Sequence, residues 1–136
     1  MSDTRTPPLG EEPLPGTAEA GHHAPGLAFV NVRGEHDLST APALLCALAE
    51  AAAHSYVLVD LSECSFIDST ALQAIIKTAN EVRARDEQLV AVIPPERAQV
   101  ARIADMTGLA EFLPIHTSRS AALTHLEHLM GNEPGS

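Results

Sequence analysis

The chain has 136 residues, of which 45% are hydrophobic and only 3% aromatic, and its formal net charge is −10. This length suits one domain with a core of Leu, Val, Ile and Ala that needs no disulfide or metal. The acidic balance disfavours nucleic acid as a ligand, because such binding depends on Lys and Arg that displace counterions. We therefore expect a protein partner and no direct contact with nucleic acid.

The sequence offers little sign of metal or membrane chemistry. Cys46 and Cys64 lack Cys-x-x-Cys spacing and are expected to be free thiols. The N-terminus is polar and proline-rich instead of basic and then apolar, and no apolar stretch approaches the length that spans a bilayer. We expect a cytoplasmic protein with no cofactor, no metal and no membrane insertion.

Residues 1–26 contain five of the ten prolines and four of the eight glycines, with few large apolar side chains. Such a segment buries too little surface to offset the entropy of ordering, so it is predicted to be a disordered tail. Its His22 and His23 could bind a metal, but an adjacent pair in a flexible segment is nonspecific. The domain is expected at 27–131, with a disordered end at 132–136.

Apolar strands and amphipathic helices alternate from residue 27 onward. The first half predicts a strand at Leu27–Val32 that ends at Gly34, a helix from near Ser39 to about His54, a strand at Tyr56–Leu61 and a helix at about Ser69–Arg85. The second half predicts a strand at Gln88–Ile93, a helix from Pro95 to Gly108, a strand at Phe112–Ile115 and a terminal helix that begins near Ser118. This order predicts an α/β fold with a mixed, mostly parallel sheet of about four or five strands, covered by helices.

Two polar motifs follow the first two predicted strands. The first is Gly34-Glu35-His36-Asp37, and the second is Phe66-Ile67-Asp68-Ser69-Thr70-Ala71-Leu72, which opens the second helix. The carboxyl ends of parallel strands meet at one edge of a sheet. We therefore expect the two motifs to lie side by side.

These motifs resemble those of STAS domains, in particular the bacterial anti-sigma-factor antagonists. Gly34-Glu35-His36-Asp37 is similar to the family's Gly-Glu-Leu-Asp, and residues 68–72 are similar to its Asp-Ser-Ser/Thr-Gly-Leu. The likeness runs from about Leu27 to Leu129 and includes Met106-Thr107-Gly108-Leu109. Three features differ: His36 replaces an aliphatic residue, Ala71 replaces a glycine, and the proline-rich tail offers no clear candidate for the family's extra first strand.

The resemblance implies partner switching. An unmodified antagonist binds an anti-sigma factor and frees sigma, until that factor, acting as a serine kinase with ATP, phosphorylates the antagonist and releases it. By position Ser69 matches the phosphoacceptor, with Thr70 as a possible second acceptor, and a phosphatase is the expected partner for reversal. The expected partner surface comprises Gly34, Glu35, His36, Asp37, Asp68, Ser69, Thr70, Ala71 and Leu72.

Several of these residues also have simpler interpretations. Asp68 or Ser69 could only cap the helix, although a helix start is also a place where a phosphate is readily held. Asp37 could be an ordinary turn residue, and His36 could be a solvated loop histidine or one that titrates near neutral pH. His125 and His128 share a helix face, but no third metal ligand is evident.

Two other functions compete with this one. A STAS-like chain could serve as a subunit of a transport or stress-signalling complex without phosphorylation of Ser69. An enzyme is disfavoured, because the sequence lacks a glycine-flanked nucleophile elbow, a phosphate-binding Gly-x-x-x-x-Gly-Lys loop and a dinucleotide fingerprint.

Overall fold

A computed structural model describes residues 15–53 and 55–131. The elements are, in chain order, β1 Thr17–Ala24, β2 Leu27–His36, α1 Ala41–Ala52, β3 Tyr56–Ile67, α2 Ser69–Arg83, β4 Leu89–Val92, α3 Ala98–Thr107, a 3-10 turn Leu109–Glu111, β5 Ile115–His116 and α4 Arg119–Gly131. The predicted α/β fold with a mixed, mostly parallel sheet is confirmed.

The five strands lie in the sheet in chain order, β1-β2-β3-β4-β5. β1 is antiparallel to β2, and every other neighbouring pair is parallel. Three successive crossovers therefore move across the sheet in one direction. Since such crossovers share one hand, they bring α1, α2 and α3 to the same face of the sheet.

Side chains alternate between two cores along the central strands. The larger core joins the sheet to α1, α2 and α3, with strand residues such as Val30, Val59 and Ala91. The smaller core lies under α4 and consists of Leu27, Tyr56, Leu58, Val90, Val92, Ala122 and Leu126. Arg119 also fixes α4 to the sheet, because its guanidinium donates to Asn31 Oδ1 at 3.0 Å and to Asp60 Oδ2 at 2.8 Å.

The predicted disorder of residues 1–26 is wrong for β1. This strand pairs with β2 from Thr17 opposite Arg33 to Ala24 opposite Leu27. Backbone hydrogen bonds to β2 stabilise it, so small side chains such as Ala18 and Ala20 suffice to pack on the larger core. It supplies the first strand for which the sequence offered no candidate. Residues 1–14 and 132–136 lie outside the described chain.

The boundaries of several elements differ from the prediction. β2 and β3 continue to His36 and Ile67, beyond their predicted ends at Val32 and Leu61. Most of the residues expected in the loops after these strands therefore belong to the strands. α3 begins at Ala98 instead of Pro95, because a turn from Pro94 to Arg97 precedes it, with Arg97 N donating to Pro94 O at 3.0 Å. The last strand begins only at Ile115, because residues 112–114 form a bend after the 3-10 turn Leu109–Glu111. The predicted end of α1 near His54 lies outside the described residues.

Candidate functional site

The two motifs lie side by side at the carboxyl ends of β2 and β3, as predicted. Glu35 pairs with Phe66 and His36 with Ile67 in the parallel register. Asp68 N then donates to His36 O at 3.0 Å, which links the start of α2 to the end of β2.

Ser69 is the first residue of α2, and its side chain is exposed. The helix cap is Asp68, whose Oδ1 accepts from Ala71 N at 2.9 Å. Capping by Asp68 is thereby confirmed, and the Ser69 hydroxyl takes no part in it. Among the described residues none hydrogen-bonds with that hydroxyl. It therefore points to solvent at the positive end of the helix dipole, where backbone N–H groups lack intrahelical acceptors.

Asp37 begins a tight turn between β2 and α1. Its Oδ1 accepts from Ser39 Oγ at 2.6 Å and from Ser39 N at 2.9 Å. These hydrogen bonds hold the pKa of the Asp37 carboxyl below its usual value, so the side chain is charged at neutral pH. The role of turn residue is therefore confirmed, and the carboxylate remains exposed at the edge of the sheet where the two motifs meet.

The expectation that His36 is a solvated loop residue is wrong. Because β2 continues through this position, the side chain points inward and is only 1% exposed. Nε2 lies 3.1 Å from both Thr17 O and Arg33 O, and Nδ1 lies 3.0 Å from Thr40 Oγ1. Two carbonyl neighbours assign a proton to Nε2. His36 thus connects the start of β1, the end of β2 and the turn that precedes α1.

The exposed part of the predicted partner surface is smaller than expected. The side chains of His36, Ala71 and Leu72 are buried, so they cannot contact a partner from within this fold. Gly34 is also buried, and its φ of 79° suits a residue without a side chain. Exposed or half-buried side chains remain at Glu35, Asp37, Asp68, Ser69 and Thr70.

Gln99 of α3 positions the start of α2, a contact that the sequence did not predict. Its Oε1 accepts from Ile67 N at 3.0 Å, and its Nε2 donates to Ile67 O at 2.9 Å. β4 pairs with β3 only as far as Asp60, so the side-chain amide replaces a neighbouring strand at Ile67. No sequence signal indicates this contact, because it depends on β3 extending beyond β4.

An apolar groove runs between α1 and α2 next to Ser69. We call it the α1–α2 groove; it is lined by Leu38, Ala41, Pro42, Leu45, Thr70, Gln73, Ala74 and Lys77. Leu38 at its mouth is 70% exposed.

No group of three or more His, Cys, Asp or Glu is placed to hold a metal within the described ranges. His125 instead faces His116, with Nδ1 and Nε2 2.8 Å apart, and burial together with His125 lowers the pKa of His116. Both cysteines are free: Cys46 is exposed, whereas Cys64 is buried, and burial raises its pKa to about 11.

Comparison with known proteins identifies the fold. The family model for the STAS domain matches residues 21–122. The chain belongs to the STAS domain family. The match begins within β1, so the strand that the sequence did not predict is part of the STAS domain.

Solved structures similar to this STAS domain include a crystal structure of an anti-sigma factor antagonist from Mycobacterium paratuberculosis. It is 29% identical, with a TM-score of 0.71 over 83% of this chain and 95% of that chain. SpoIIAA in its unphosphorylated form is 13% identical, with a TM-score of 0.66 over 82% of this chain and 97% of that one. The Bacillus cell fate determinant SpoIIAA in the phosphorylated form is also 13% identical, with a TM-score of 0.61 over 80% and 98%.

At 13% identity, the two SpoIIAA structures show a shared fold and no more. A comparison with curated proteins gives no match. In the part of the STAS domain that the structure describes, no helix is both long and apolar enough to cross a membrane.

Proposed function

We propose that this STAS domain is an anti-sigma-factor antagonist and that phosphorylation of Ser69 switches its binding to an anti-sigma factor. The observation that carries the proposal is the exposed hydroxyl of Ser69 at the first residue of α2, which hydrogen-bonds with no residue in the described ranges. Asp68 already caps the helix, so the serine is available to a kinase without loss of a structural contact. The 29% identity to an anti-sigma factor antagonist supports the same role.

The fold can hold a phosphate at this position. The group would add about −1.5 to −2 charges beside N–H groups at the start of α2, which favour an anion. The modified domain therefore stays folded, and the phosphate changes the surface instead of the core.

The same charge prevents partner binding. Asp68 and the charged Asp37 already lie at this edge, and a partner that fits them must then also bury a dianion. Burying a charge without a counter-charge costs several kcal/mol, whereas about 1.4 kcal/mol changes affinity tenfold. One phosphate is therefore enough to release the partner.

The proposed partners follow from this cycle. An anti-sigma factor that is also a serine kinase brings the ATP, so the STAS domain needs no cofactor of its own. A phosphatase restores the binding form. The domain acts in the cytoplasm and regulates transcription through the freed sigma factor, without touching nucleic acid itself. Glu35, Asp37, Asp68, Ser69 and Thr70 supply the contact surface.

The test is phosphosite mapping after incubation with ATP and a lysate of the source cells. We expect one phosphate, present in the wild type and in Thr70→Ala but absent from Ser69→Ala. Thr70 is a matched control, because its hydroxyl is exposed on the next residue of the same helix turn. The phosphorylated protein should also lose at least tenfold in affinity for the kinase that modifies it. A phosphate on Thr70 alone, or none at either residue, would contradict the proposal and favour a subunit without phosphorylation.

A further inference from the structure

The larger core opens to solvent at the outer edge of the sheet, between α3, the 3-10 turn and β5. Ile93 and Ala104 are buried members of that core, and Ile115 of β5 packs against it. They line a cavity of about 280 Å³, which we call the β5 pocket, together with the small residues Ala101, Gly108 and Ala110. A void of about 150 Å³ already holds a benzene ring, so the β5 pocket has room for one large apolar side chain.

Two carboxylates line the same pocket, at a place that is unfavourable for negative charge. Asp105 lies in the last turn of α3, which contains no basic residue. Glu111 lies over the end of that helix, since a Cβ on Gly108 would be 3.6 Å from Glu111 Cδ. The C-terminus of a helix carries the negative end of its dipole, so it disfavours both groups.

No cation offsets these charges within the part of the chain that the structure describes. Neither Asp105 nor Glu111 forms an ion pair or a side-chain hydrogen bond with any residue in 15–53 or 55–131. Arg102 is exposed on the same helix, but it lines a different cavity, beside Ile103 and Met106. The β5 pocket thus combines apolar space with two uncompensated carboxylates, which suits an apolar group that is accompanied by a cation.

The edge of β5 beside the pocket offers backbone hydrogen-bonding groups. β5 is the last strand of the sheet. Pro114 O and His116 O accept from β4, at 3.0 Å and 2.9 Å, so the N–H and C=O of Ile115 between them point away from β4. Neither group is hydrogen-bonded within the described ranges. Such an edge can accept one more strand.

We propose that the β5 pocket binds an extended segment of a partner protein, which adds to the sheet beside β5. Hydrogen bonds to Ile115 would hold the backbone of the segment, as in other cases of strand addition. Side chains two residues apart on a strand point to the same side. One apolar side chain would then enter the pocket, and a lysine or arginine two residues away would lie between Asp105 and Glu111.

The charge of the molecule favours a basic segment of another protein over a second copy of this chain. The formal net charge is −10, so two copies repel each other, whereas a basic segment is attracted. The lining of the β5 pocket shares no residue with the surface around Ser69. The inference therefore goes beyond the proposed function and does not depend on phosphorylation.

The test titrates three blocked five-residue peptides into the ¹⁵N-labelled chain and follows its ¹H–¹⁵N spectra. The first peptide has leucine second and arginine fourth, with threonine elsewhere. The second has glutamate in place of the arginine, and the third has serine in place of the leucine. We expect the first peptide to shift the amide signals of Ala104, Gly108 and Ile115 saturably and to leave those of α2 in place. The other two peptides should bind about fivefold more weakly or worse.

A pair of double variants tests the carboxylates. Asp105→Asn/Glu111→Gln should weaken binding of the arginine peptide by about fivefold, because it removes both charges and keeps the shapes of the side chains. The matched control is Glu50→Gln/Glu127→Gln, which removes the same charge from exposed positions on α1 and α4. It should change the affinity by less than about twofold, since distant charges are screened.

Four results would overturn the inference. Equal affinity for the glutamate peptide, or an equal loss of affinity in the control variant, would show that no specific carboxylate pair is used. Equal affinity for isopentylammonium, whose alkyl group matches the leucine side chain, would assign the pocket to a small cation. Shifts of the pocket signals with the concentration of the chain alone would assign it to a second copy. None of these results affects the phosphosite mapping of Ser69.

Discussion

Gly16 lies where the entering chain crosses the end of β2, and it has no room for a side chain. A Cβ there would overlap the Glu35 carbonyl oxygen and lie 2.9 Å from the His36 ring. For a Cβ at Gly21, which lies in β1, the nearest atom would be the tip of the Phe29 ring, at 2.5 Å. A backbone carbonyl cannot move as a ring tip can, so the two glycines tolerate a methyl group differently.

We therefore expect Gly16→Ala to lower the free energy of unfolding by about 1–3 kcal/mol, the usual cost of overpacking. Gly21→Ala should cost clearly less, because the Phe29 ring can rotate away. Urea denaturation of both variants measures the difference. Equal losses of unfolding free energy in the two variants would contradict this expectation. They would mean that the Glu35 carbonyl and His36 ring move as easily as the Phe29 ring.

The sequence predicted individual residues well where their role is local. Asp68 was recognised as a capping candidate and Asp37 as a turn candidate, because both depend on hydrogen bonds within three residues. His36 was misplaced, since its burial depends on β2 continuing past residue 32 and on contact with Thr17, nineteen residues away. Side-chain patterns near a strand end carry no information about such a partner.

Among the elements, α3 supports the start of α2 through the side chain of Gln99. The two hydrogen bonds between Gln99 and Ile67 hold the residue that precedes the helix cap. Movement of α3 would therefore alter the position of Ser69, even though the two helices are connected through β4.

We expect Gln99→Ala to lower the free energy of unfolding by about 1–3 kcal/mol, because it leaves Ile67 N and O without their partner. Amide hydrogen exchange at Ile67 should accelerate more than exchange in α4. Arg102→Ala is the control, since Arg102 is exposed on the same helix. Unchanged exchange at Ile67 would show that protection of this amide does not depend on Gln99, which would contradict the expectation.

β5 and α4 are joined by the His116–His125 contact, which makes the pair sensitive to pH. Burial, and secondly His125, lower the pKa of His116 in the folded chain. As the pH falls, His116 is therefore protonated at a higher pH in the unfolded chain than in the folded chain. The free energy of unfolding should decrease as the pH falls below about 6.5. In His116→Gln the loss between about pH 8 and about pH 5 should be smaller. Identical slopes for thermal unfolding in the two proteins would contradict this.

The sequence revealed long elements and missed those that depend on a neighbour. Helices α1, α2 and α4 and the centres of β2, β3 and β4 follow from apolar periodicity. β1 was missed because its small and polar side chains resemble a linker, and pairing with β2 is what orders it. β5 was misplaced because two residues are too few to form a pattern.

For the whole molecule, the sheet has two faces with unequal cover: three helices on one and α4 alone on the other. Leu126 is fully buried in the smaller core, whereas Leu123 is only partly buried at its margin. The smaller face therefore depends on very few side chains.

We expect Leu126→Ala to cost about 2–5 kcal/mol, the range for cavities left by a buried leucine, and Leu123→Ala to cost much less. Because both cores share one sheet, unfolding should remain a single transition by circular dichroism and by tyrosine fluorescence from Tyr56. Two separate transitions would show that α4 unfolds independently.

At this scale the alternation of strands and helices was sufficient to predict the fold class. The strand order could not be derived from periodicity, because many orders satisfy the same alternation. The two motifs were predicted to meet at one edge of the sheet. That prediction requires only that β2 and β3 are parallel neighbours, whatever the order of the other strands.

The identity of strand order and chain order has a consequence for synthesis on the ribosome. Each strand finds its neighbour in the segment that emerged just before it, so the sheet can grow one strand at a time from the β1–β2 hairpin. Each of the strands β1 to β4 pairs with the strand that follows it directly in the chain, so its pairing does not depend on a segment that is synthesised much later. The start of α2 gains its last support only when Gln99 has left the exit tunnel, so the Ser69 edge is completed late in translation.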